Sequence, residues 1–151
     1  MCVPDVGALM GITTRCVEQR LNEKALSLGL TAAQIHMLHM ICENDGKLHP
    51  KEIERHFDLT HATVSGILSR LESKGFLTMK PDPADGRAKC LFATARAKES
   101  TEAMGRYIRE CEAAMLQGFS EEETRLLRSY LTRILDNLDV KKPARFHPKE
   151  G

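Results

Sequence analysis

Residues 76–94, FLTMKPDPADGRAKCLFAT, form the one strand-like segment of a sequence whose other apolar residues recur at helical spacing. Two short apolar runs, FLTMK and CLFAT, flank PDPADGRAK, which is rich in proline, aspartate, glycine and basic residues. That order is typical of two strands joined by a long turn. The sequence therefore predicts a mainly α-helical protein with one two-stranded hairpin.

Four helices are predicted before the hairpin. Apolar residues at helical spacing cover residues 6–28, and the glycine of LGLT ends this first helix. Thr31 caps a second helix that ends at ENDGK, and Pro50 lies in the first turn of a short third helix. Thr60 caps the fourth helix, which ends at Gly75.

Two longer helices are predicted after the hairpin. In the first of them, apolar residues alternate at steps of four and three, which is the spacing of a coiled-coil-like seam. Ser120 and Glu123 form a capping box at the start of the last helix, whose wide apolar face extends to Leu138. The tail KKPARFHPKEG has no periodicity, so we expect residues 141–151 to be loosely ordered. The seam consists of Ala97, Thr101, Met104, Ile108, Cys111 and Met115.

Composition limits the function classes. The 151 residues are about one ordinary domain, and the net charge is +1. Ten basic and six acidic residues give the segment 47–98 a charge of +4, as expected of a local polyanion-binding surface. The five cysteines are scattered without a CxxC pair, which favours free thiols over a disulfide framework or a zinc ribbon. The N-terminus resembles neither a signal peptide nor a membrane anchor, so we expect a cytoplasmic protein with no membrane partner.

The third and fourth helices are short and joined by a few residues, which is typical of a helix-turn-helix. An apolar stripe would hold the fourth helix to the protein body, and its outward residues are small or hydrogen-bonding. Such residues allow close approach to base edges and contacts to phosphates, so this is a candidate recognition helix for double-stranded DNA. The alternative is an ordinary short helix with a solvated face. The candidate DNA-binding residues are His61, Ala62, Thr63, Ser65, Gly66, Ser69 and Arg70.

The hairpin supplies the second part of this candidate site. A two-stranded ribbon directly after a recognition helix makes a winged helix, and a wing can reach the DNA backbone or the adjacent minor groove. Arg87 lies near the tip, and Asp85 is placed to pair with it and set the shape of the loop. Lys80 and Lys89 flank the loop as candidate phosphate partners. The alternative is a charged hairpin that serves only solubility.

The run LTHATVSGILSRLESKGFLTMKPDPADGRAKCLFATARAKE resembles the core of the MarR family, the multiple-antibiotic-resistance regulators. The resemblance rests on the recognition helix, the helix end RLESKG and the wing DPADGR, and it extends over most of the chain. It implies a homodimeric winged helix-turn-helix transcription factor, often a repressor, that binds a pseudo-palindromic operator. It also implies that Arg87 enters the minor groove and that Asp85 steadies it.

On this resemblance the chain is one MarR-like domain over residues 1–151. Residues 31–98 form the winged helix-turn-helix lobe, and residues 5–30 and 99–140 form the N- and C-terminal dimerisation helices. Gly66 departs from the family, because many relatives carry a larger polar or basic residue there. A glycine inside a helix costs about 1 kcal/mol relative to alanine, so Gly66 needs a reason such as close approach to DNA or to another helix.

Two sensing sites are weighed against ordinary roles. His36, His39 and Glu43 lie at steps of three and four, so they share a helix face that would suit a metal ion. Surface or packing histidines are the favoured interpretation, and we predict neither a metal nor a cofactor. Cys16 would suit a peroxide-sensing thiol, as in some relatives, but it falls on the apolar stripe of the first helix. That position favours inert burial.

A small organic effector is the third possibility, since relatives often bind one between the dimerisation helices and the DNA-binding lobe. Met37, Met40 and Met104 would make such a pocket adaptable, although methionine in a core is the simpler interpretation. The sequence has no glycine-rich phosphate loop, nucleophile elbow or HExxH helix, so we predict that the protein is not an enzyme. A winged helix that binds protein instead of DNA would require an apolar exposed helix face, whereas this face is small and polar.

Overall fold

The computed structural model describes residues 5–140, which form mainly helices and one two-stranded antiparallel sheet. This confirms the predicted fold class. The predicted loose tail at residues 141–151 lies outside the described residues. The elements are α1 (Val6–Ser27), α2 (Ala32–Glu43), α3 (Pro50–Phe57), α4 (His61–Ser73), β1 (Leu77–Pro81), β2 (Lys89–Ala93), α5 (Ala95–Met115) and α6 (Glu121–Asn137).

The helix starts follow the predicted caps. The Thr31 hydroxyl accepts a hydrogen bond from the Gln34 backbone N–H at 3.2 Å, and the Gln34 side-chain oxygen accepts one from the Thr31 N–H at 3.0 Å. The Ser120 hydroxyl accepts one from the Glu123 N–H at 3.2 Å. At the start of α4, the Thr60 hydroxyl accepts one from the Thr63 N–H at 3.3 Å. Each cap satisfies a backbone donor that has no partner within its helix.

The hairpin is shifted by one residue from the predicted strands. In the antiparallel register Leu77 pairs with Ala93 and Pro81 pairs with Lys89. The first strand therefore begins one residue later than the predicted run FLTMK, and the second begins one residue earlier than CLFAT. Phe76 precedes β1 and is fully buried, which explains why it looked like part of the strand. Leu48 forms a single antiparallel bridge to Leu91, and it fixes the segment before α3 to the sheet.

One apolar core joins α2, α3, α4, the sheet and the first part of α5. Leu71 and Phe76 are fully buried at the point where α4 meets β1. Burying a side chain of this size contributes about 1.5–3 kcal/mol, so these two residues stabilise the junction of α4 with β1. The core also includes Leu38, Ile41, Ile53, Val64, Leu68, Leu77, Leu91, Ala97 and Met104.

The chain divides into two compact units, with the boundary after Cys111. The first contains the helix-turn-helix and the sheet, and the second contains the end of α5 and all of α6. Among the described residues, no single helix is both long and apolar enough to cross a membrane. In these residues, only α1 and α2 taken together have the length and apolar composition of a membrane span, and the two helices are bent by 72° at their junction.

Candidate nucleic-acid interface

Helix α4 is held by one face and presents the other to solvent. Val64, Leu68 and Leu71 are buried in the core, at the spacing of one helix stripe. The seven candidate DNA-binding residues of this helix lie on the remaining surface, where all are exposed except the partly buried Gly66. A methyl group at Gly66 would meet no atom of another described element within 4 Å, so no packing contact in the described chain requires a glycine.

The turn before α4 is fixed by two contacts. Asp58 has a φ of 51°, a left-handed conformation that ends α3, and the Leu59 N–H then donates to the Glu54 carbonyl at 3.0 Å. The His61 Nδ1 lies 2.7 Å from the Glu54 Oε1, so the first residue of α4 is tied to α3. These contacts set the angle between the two helices and thereby the direction of the exposed face of α4.

The wing loop is ordered by its own aspartates. The Asp82 carboxylate accepts a hydrogen bond from the Ala84 N–H at 2.8 Å, and the Asp85 carboxylate accepts one from the Arg87 N–H at 3.0 Å. Asp85 was predicted to pair with the Arg87 side chain, but it binds the Arg87 backbone instead. The reason is that an aspartate reaches the N–H two residues onward in a tight turn. The Arg87 guanidinium is therefore left exposed at the loop.

A groove of about 1020 Å³ lies between α3, α4 and the wing, and we call it the wing groove. It brings together six of the eleven predicted residues, and it leaves Ala62, Thr63, Gly66, Arg70 and Lys80 outside its lining. Sequence reasoning missed Lys51 and Arg55, which reach the groove from α3. In the sequence they could have been noticed as two basic residues at polar positions of α3. The predicted residues that line the groove are His61, Ser65, Ser69, Asp85, Arg87 and Lys89.

The basic and acidic side chains of the wing groove differ in whether they have partners within the protein. Among residues 5–140, the four basic side chains of Lys51, Arg55, Arg87 and Lys89 form no ion pair. The five acidic ones each accept a hydrogen bond from a backbone N–H or a histidine of the protein. The groove thus offers unpaired cations to a ligand, while its carboxylates already have protein partners. Those carboxylates are Glu52, Glu54, Glu72, Asp82 and Asp85.

Lys80 is directed away from the groove. Its ammonium lies 5.1 Å from the centroid of the Phe92 ring, and neither Lys80 nor Phe92 lines the groove. Alternate residues of a strand point to opposite faces, so Lys80 and its neighbour Met79, which does line the groove, are separated by the pleat. Lys80 is therefore the weakest of the predicted phosphate partners.

The base of the wing is anchored to the start of α3. The His49 Nε2 lies 2.7 Å from the Asp82 Oδ2, and the same nitrogen lies 3.6 Å from the Cys90 Sγ. The hydrogen bond to Asp82 raises the pKa of His49. The Ala84 N–H and then His49 lower the pKa of Asp82, and burial raises the pKa of the Cys90 thiol. Sequence reasoning missed this contact, because the three residues are far apart in the chain.

Comparisons with known proteins agree with this architecture. A model of the MarR family matches residues 28–88, from the end of α1 through the wing loop. The HTH-type transcriptional regulator YdgJ of Bacillus subtilis is 25% identical over 111 residues, which are 74% of this chain and 67% of YdgJ. The crystal structure of MepR, a transcription regulator of the Staphylococcus aureus multidrug efflux pump MepA, is 26% identical with a TM-score of 0.78. The chain is similar to the MarR family over residues 28–88.

The structural likeness extends over most of the chain. MepR is matched over 89% of this chain and 99% of its own. The S. aureus MepR–DNA complex is also similar, with 26% identity, a TM-score of 0.64, and coverage of 89% of this chain and 96% of that one. The helix-turn-helix and wing of this chain thus resemble a protein that was solved with DNA.

The predicted burial of Cys16 is wrong for the single chain. Cys16 is exposed, and so are its apolar neighbours Val6, Leu9 and Ile12 at 63%, 50% and 53% of their surface. These residues lie on the N-terminal half of α1, and no element of the described chain covers them. Cys42, Cys90 and Cys111 are free thiols and are at least partly buried.

The three residues of the metal hypothesis on α2 separate in the structure. His39 pairs with Glu43 at 3.5 Å on the surface. His36 instead makes edge-to-face contacts with Phe57 and His56 of α3, with ring centroids 5.2 Å and 6.1 Å away. Among residues 5–140, they do not form a three-ligand cluster. The packing interpretation of His36 is therefore the better one.

The methionines considered for an effector pocket also pack in or against the core, because Met37 and Met104 are buried and Met40 packs against the core cluster.

Proposed function

We propose that this protein is a MarR-family transcriptional regulator that binds double-stranded DNA sequence-specifically through α4 and the wing. The observation that carries the proposal is the wing groove, where the small, hydroxyl-bearing face of α4 lies beside four unpaired basic side chains. A polar helix face suits base edges, and unpaired cations suit phosphates. The similar MepR was solved in complex with DNA, which supports the same partner here.

In this proposal the exposed face of α4 enters the major groove. Ser65 and Ser69, together with the other small residues of α4, contact bases or phosphates, and the positive end of the helix favours a phosphate near Thr60. Arg87 enters the adjacent minor groove, where arginine is favoured because the negative potential is strongest. Lys51, Arg55 and Lys89 contact phosphates at the edges.

The proposed regulator acts as a homodimer. Apolar side chains on α1 and on α6, including Leu9, Leu126, Tyr130 and Leu131, are exposed in the single chain. Large exposed apolar surfaces of this kind mark interaction sites, and a two-fold partner would cover the same faces on both copies. The two recognition helices should then lie about 34 Å apart, one turn of duplex, and read a pseudo-palindromic operator.

We further propose that the dimer is a cytoplasmic repressor released by a small organic effector. A reporter gene with the operator placed inside its promoter tests the first part: expression should fall when the protein is supplied and return in an α4 variant. Screening small molecules for release of labelled operator tests the second part. Higher reporter expression on adding the protein would make it an activator.

Selection of bound duplexes from a random pool tests the DNA proposal. We expect one enriched palindrome, whose affinity falls steeply with salt because counterions are released from the phosphates. Arg87→Ala should weaken binding by about 1–3 kcal/mol while folding is unchanged. Lys80→Ala is the matched control, since it removes a nearby charge that is directed away from the groove, and it should have a smaller effect.

Two outcomes would reject the proposal. Recovery of no enriched sequence together with salt-insensitive binding would favour a protein-binding winged helix. Equal losses in Arg87→Ala and Lys80→Ala would show that only general charge matters. Thr63→Ala and Ser65→Ala separate base from phosphate contacts, because loss of a base contact weakens the selected operator more than random DNA.

A further inference from the structure

We propose that His49, Asp82 and Cys90 form a zinc(II) site at the base of the wing. Their donor atoms, one imidazole nitrogen, one carboxylate oxygen and one sulfur, all lie within 4.8 Å of one another. Zinc binds these three donor types, usually with tetrahedral geometry, and sulfur and nitrogen donors disfavour magnesium and calcium. Asp82 and Cys90 lie on the two sides of the wing hairpin, 33 and 41 positions after His49.

Two of the three distances between donor atoms, those from the His49 Nε2, are close to those around a tetrahedral ion. Bonds of about 2.0–2.3 Å in a tetrahedron place nitrogen and sulfur about 3.5 Å apart, and nitrogen and oxygen about 3.3 Å apart. The His49 Nε2 and Cys90 Sγ are 3.6 Å apart, so this edge needs no change. The His49 Nε2 and Asp82 Oδ2 are 2.7 Å apart, a hydrogen-bond distance. This edge must open by roughly half an ångström as the ion replaces the shared proton, which is released to solvent.

Neighbouring groups already orient two of the three ligands. The other ring nitrogen of His49, Nδ1, lies 3.5 Å from the Glu52 Oε2, so once the ion displaces the proton from Nε2, the proton that remains on Nδ1 faces a carboxylate. The Asp82 Oδ1 accepts the Ala84 N–H at 2.8 Å, so Oδ2 is the oxygen directed at the cluster. Held ligands lose little freedom on binding, which favours a defined site over a chance surface group.

The site would be partly open. Cys90 is 4% exposed, whereas the side chains of His49 and Asp82 are 35% and 17% exposed. An ion can therefore enter from the wing side, and solvent can supply the fourth ligand. On binding, the Cys90 thiol gives its proton to solvent and coordinates as the thiolate.

Cobalt(II), the usual spectroscopic substitute for zinc, tests the site in the full-length reduced protein. We expect one cobalt per chain, with tetrahedral absorption and a sulfur-to-cobalt charge-transfer band, and full displacement by zinc(II). Cys90→Ser should remove the charge-transfer band, and Asp82→Asn should weaken cobalt binding by roughly tenfold or more. Circular dichroism checks folding, and Asp82→Asn decides the question if Cys90→Ser does not fold.

Two matched controls locate the ion. Cys42→Ser removes another partly buried thiol, and His39→Gln removes the exposed histidine paired with Glu43; both should leave the cobalt spectrum unchanged. A wild-type protein without a charge-transfer band would overturn the proposal. So would a band that survives Cys90→Ser, unchanged cobalt affinity in Asp82→Asn, or a band that disappears in Cys42→Ser.

A consequence for regulation rests on the proposed DNA binding. The ion would fix both ends of the wing loop to the start of α3, so zinc loading should tighten operator binding about three- to tenfold by preorganising the wing. Asp82→Asn should abolish that gain. Cobalt binding is read without DNA, so a protein that binds cobalt but no operator rejects the proposed function alone. A protein whose operator affinity is equal with and without zinc rejects the regulatory consequence alone.

Discussion

The winged lobe and helix α6 use similar amphipathic patterns in opposite ways. In the lobe, Leu68, Leu71 and Phe76 are almost completely buried within the chain. In α6, no residue is buried, and Leu126, Tyr130 and Leu131 keep 39–49% of their surface exposed. The lobe therefore carries its own core, whereas the apolar face of α6 is left uncovered by the described chain.

This difference separates two sources of stability. The lobe should unfold at a denaturant concentration that does not depend on protein concentration, because its partners lie in the same chain. The packing of α6 should depend on protein concentration, because its partner is proposed to be a second chain. Substitutions in the two regions should consequently differ in which measurement they change.

The largest effect is expected from Leu131→Glu on α6. It would place an unpaired carboxylate in the proposed interface of each copy, at a cost of about 3 kcal/mol or more per copy. Sedimentation at micromolar concentration should show a monomer with unchanged lobe structure. Ser129→Glu adds the same charge on the opposite side of the helix and should remain dimeric. If Leu131→Glu also sediments as a dimer, α6 is not in the interface.

A core substitution in the lobe should have the next largest effect. Leu71→Ala should lower the free energy of unfolding by about 2–5 kcal/mol, because it leaves a cavity between α4 and β1. Urea unfolding in the monomeric Leu131→Glu background measures this without a contribution from the partner. In that background, Leu126→Ala should cost less than about 1 kcal/mol, since the side chain is exposed. Equal losses would contradict the contrast between the two regions.

Gly66→Ala should separate stability from DNA binding within α4. Alanine should stabilise the helix by roughly 0.5–1 kcal/mol, because nothing in the described chain opposes a methyl group there. If the glycine allows close approach to DNA, the same change should weaken operator binding. Thermal unfolding and operator titration measure the two effects. A more stable variant with unchanged operator affinity would remove Gly66 from the DNA interface.

The smallest effect concerns Asp45, which joins the loop after α2 to β2 and α5. Its carboxylate accepts hydrogen bonds from the Lys98 ammonium at 2.8 Å and the Ala93 N–H at 2.9 Å, and the bond to Lys98 is the main cause of its lowered pKa. A lowered pKa stabilises the fold at pH values above the pKa of the unfolded aspartate, which is about 4. This stabilisation is lost as the pH falls through the lower pKa of the folded protein. The difference in Tm between wild type and Asp45→Asn should thus be largest at neutral pH and shrink in acid. A constant difference would contradict the ion pair.

Local features were predictable from the sequence. The caps Thr31, Thr60 and Ser120 could be identified because a cap depends on residues only three positions apart. The strand bounds were one residue off, because the burial of Phe76 does not distinguish a strand from its flank.

Features that depend on distant residues or on a partner were not predictable. Periodicity placed Cys16 on an apolar stripe, but it could not say whether the cover comes from the same chain, and the prediction of burial failed for this reason. Lys51 and Arg55 were missed because the fold, not the spacing, brings α3 to the wing groove. The contact of His49 with Asp82 and Cys90 spans 33 and 41 positions and leaves no local signal.

The two aspartate turns of the wing should affect the rate at which the protein associates with duplex DNA. Because Asp82 and Asp85 already bind backbone N–H groups two residues onward, the loop is shaped before any duplex arrives. Capture should then be limited by diffusion and charge steering rather than by a slow ordering step. In stopped-flow mixing, Asp85→Ala should slow capture of the duplex, whereas Arg87→Ala should mainly shorten the lifetime of the complex.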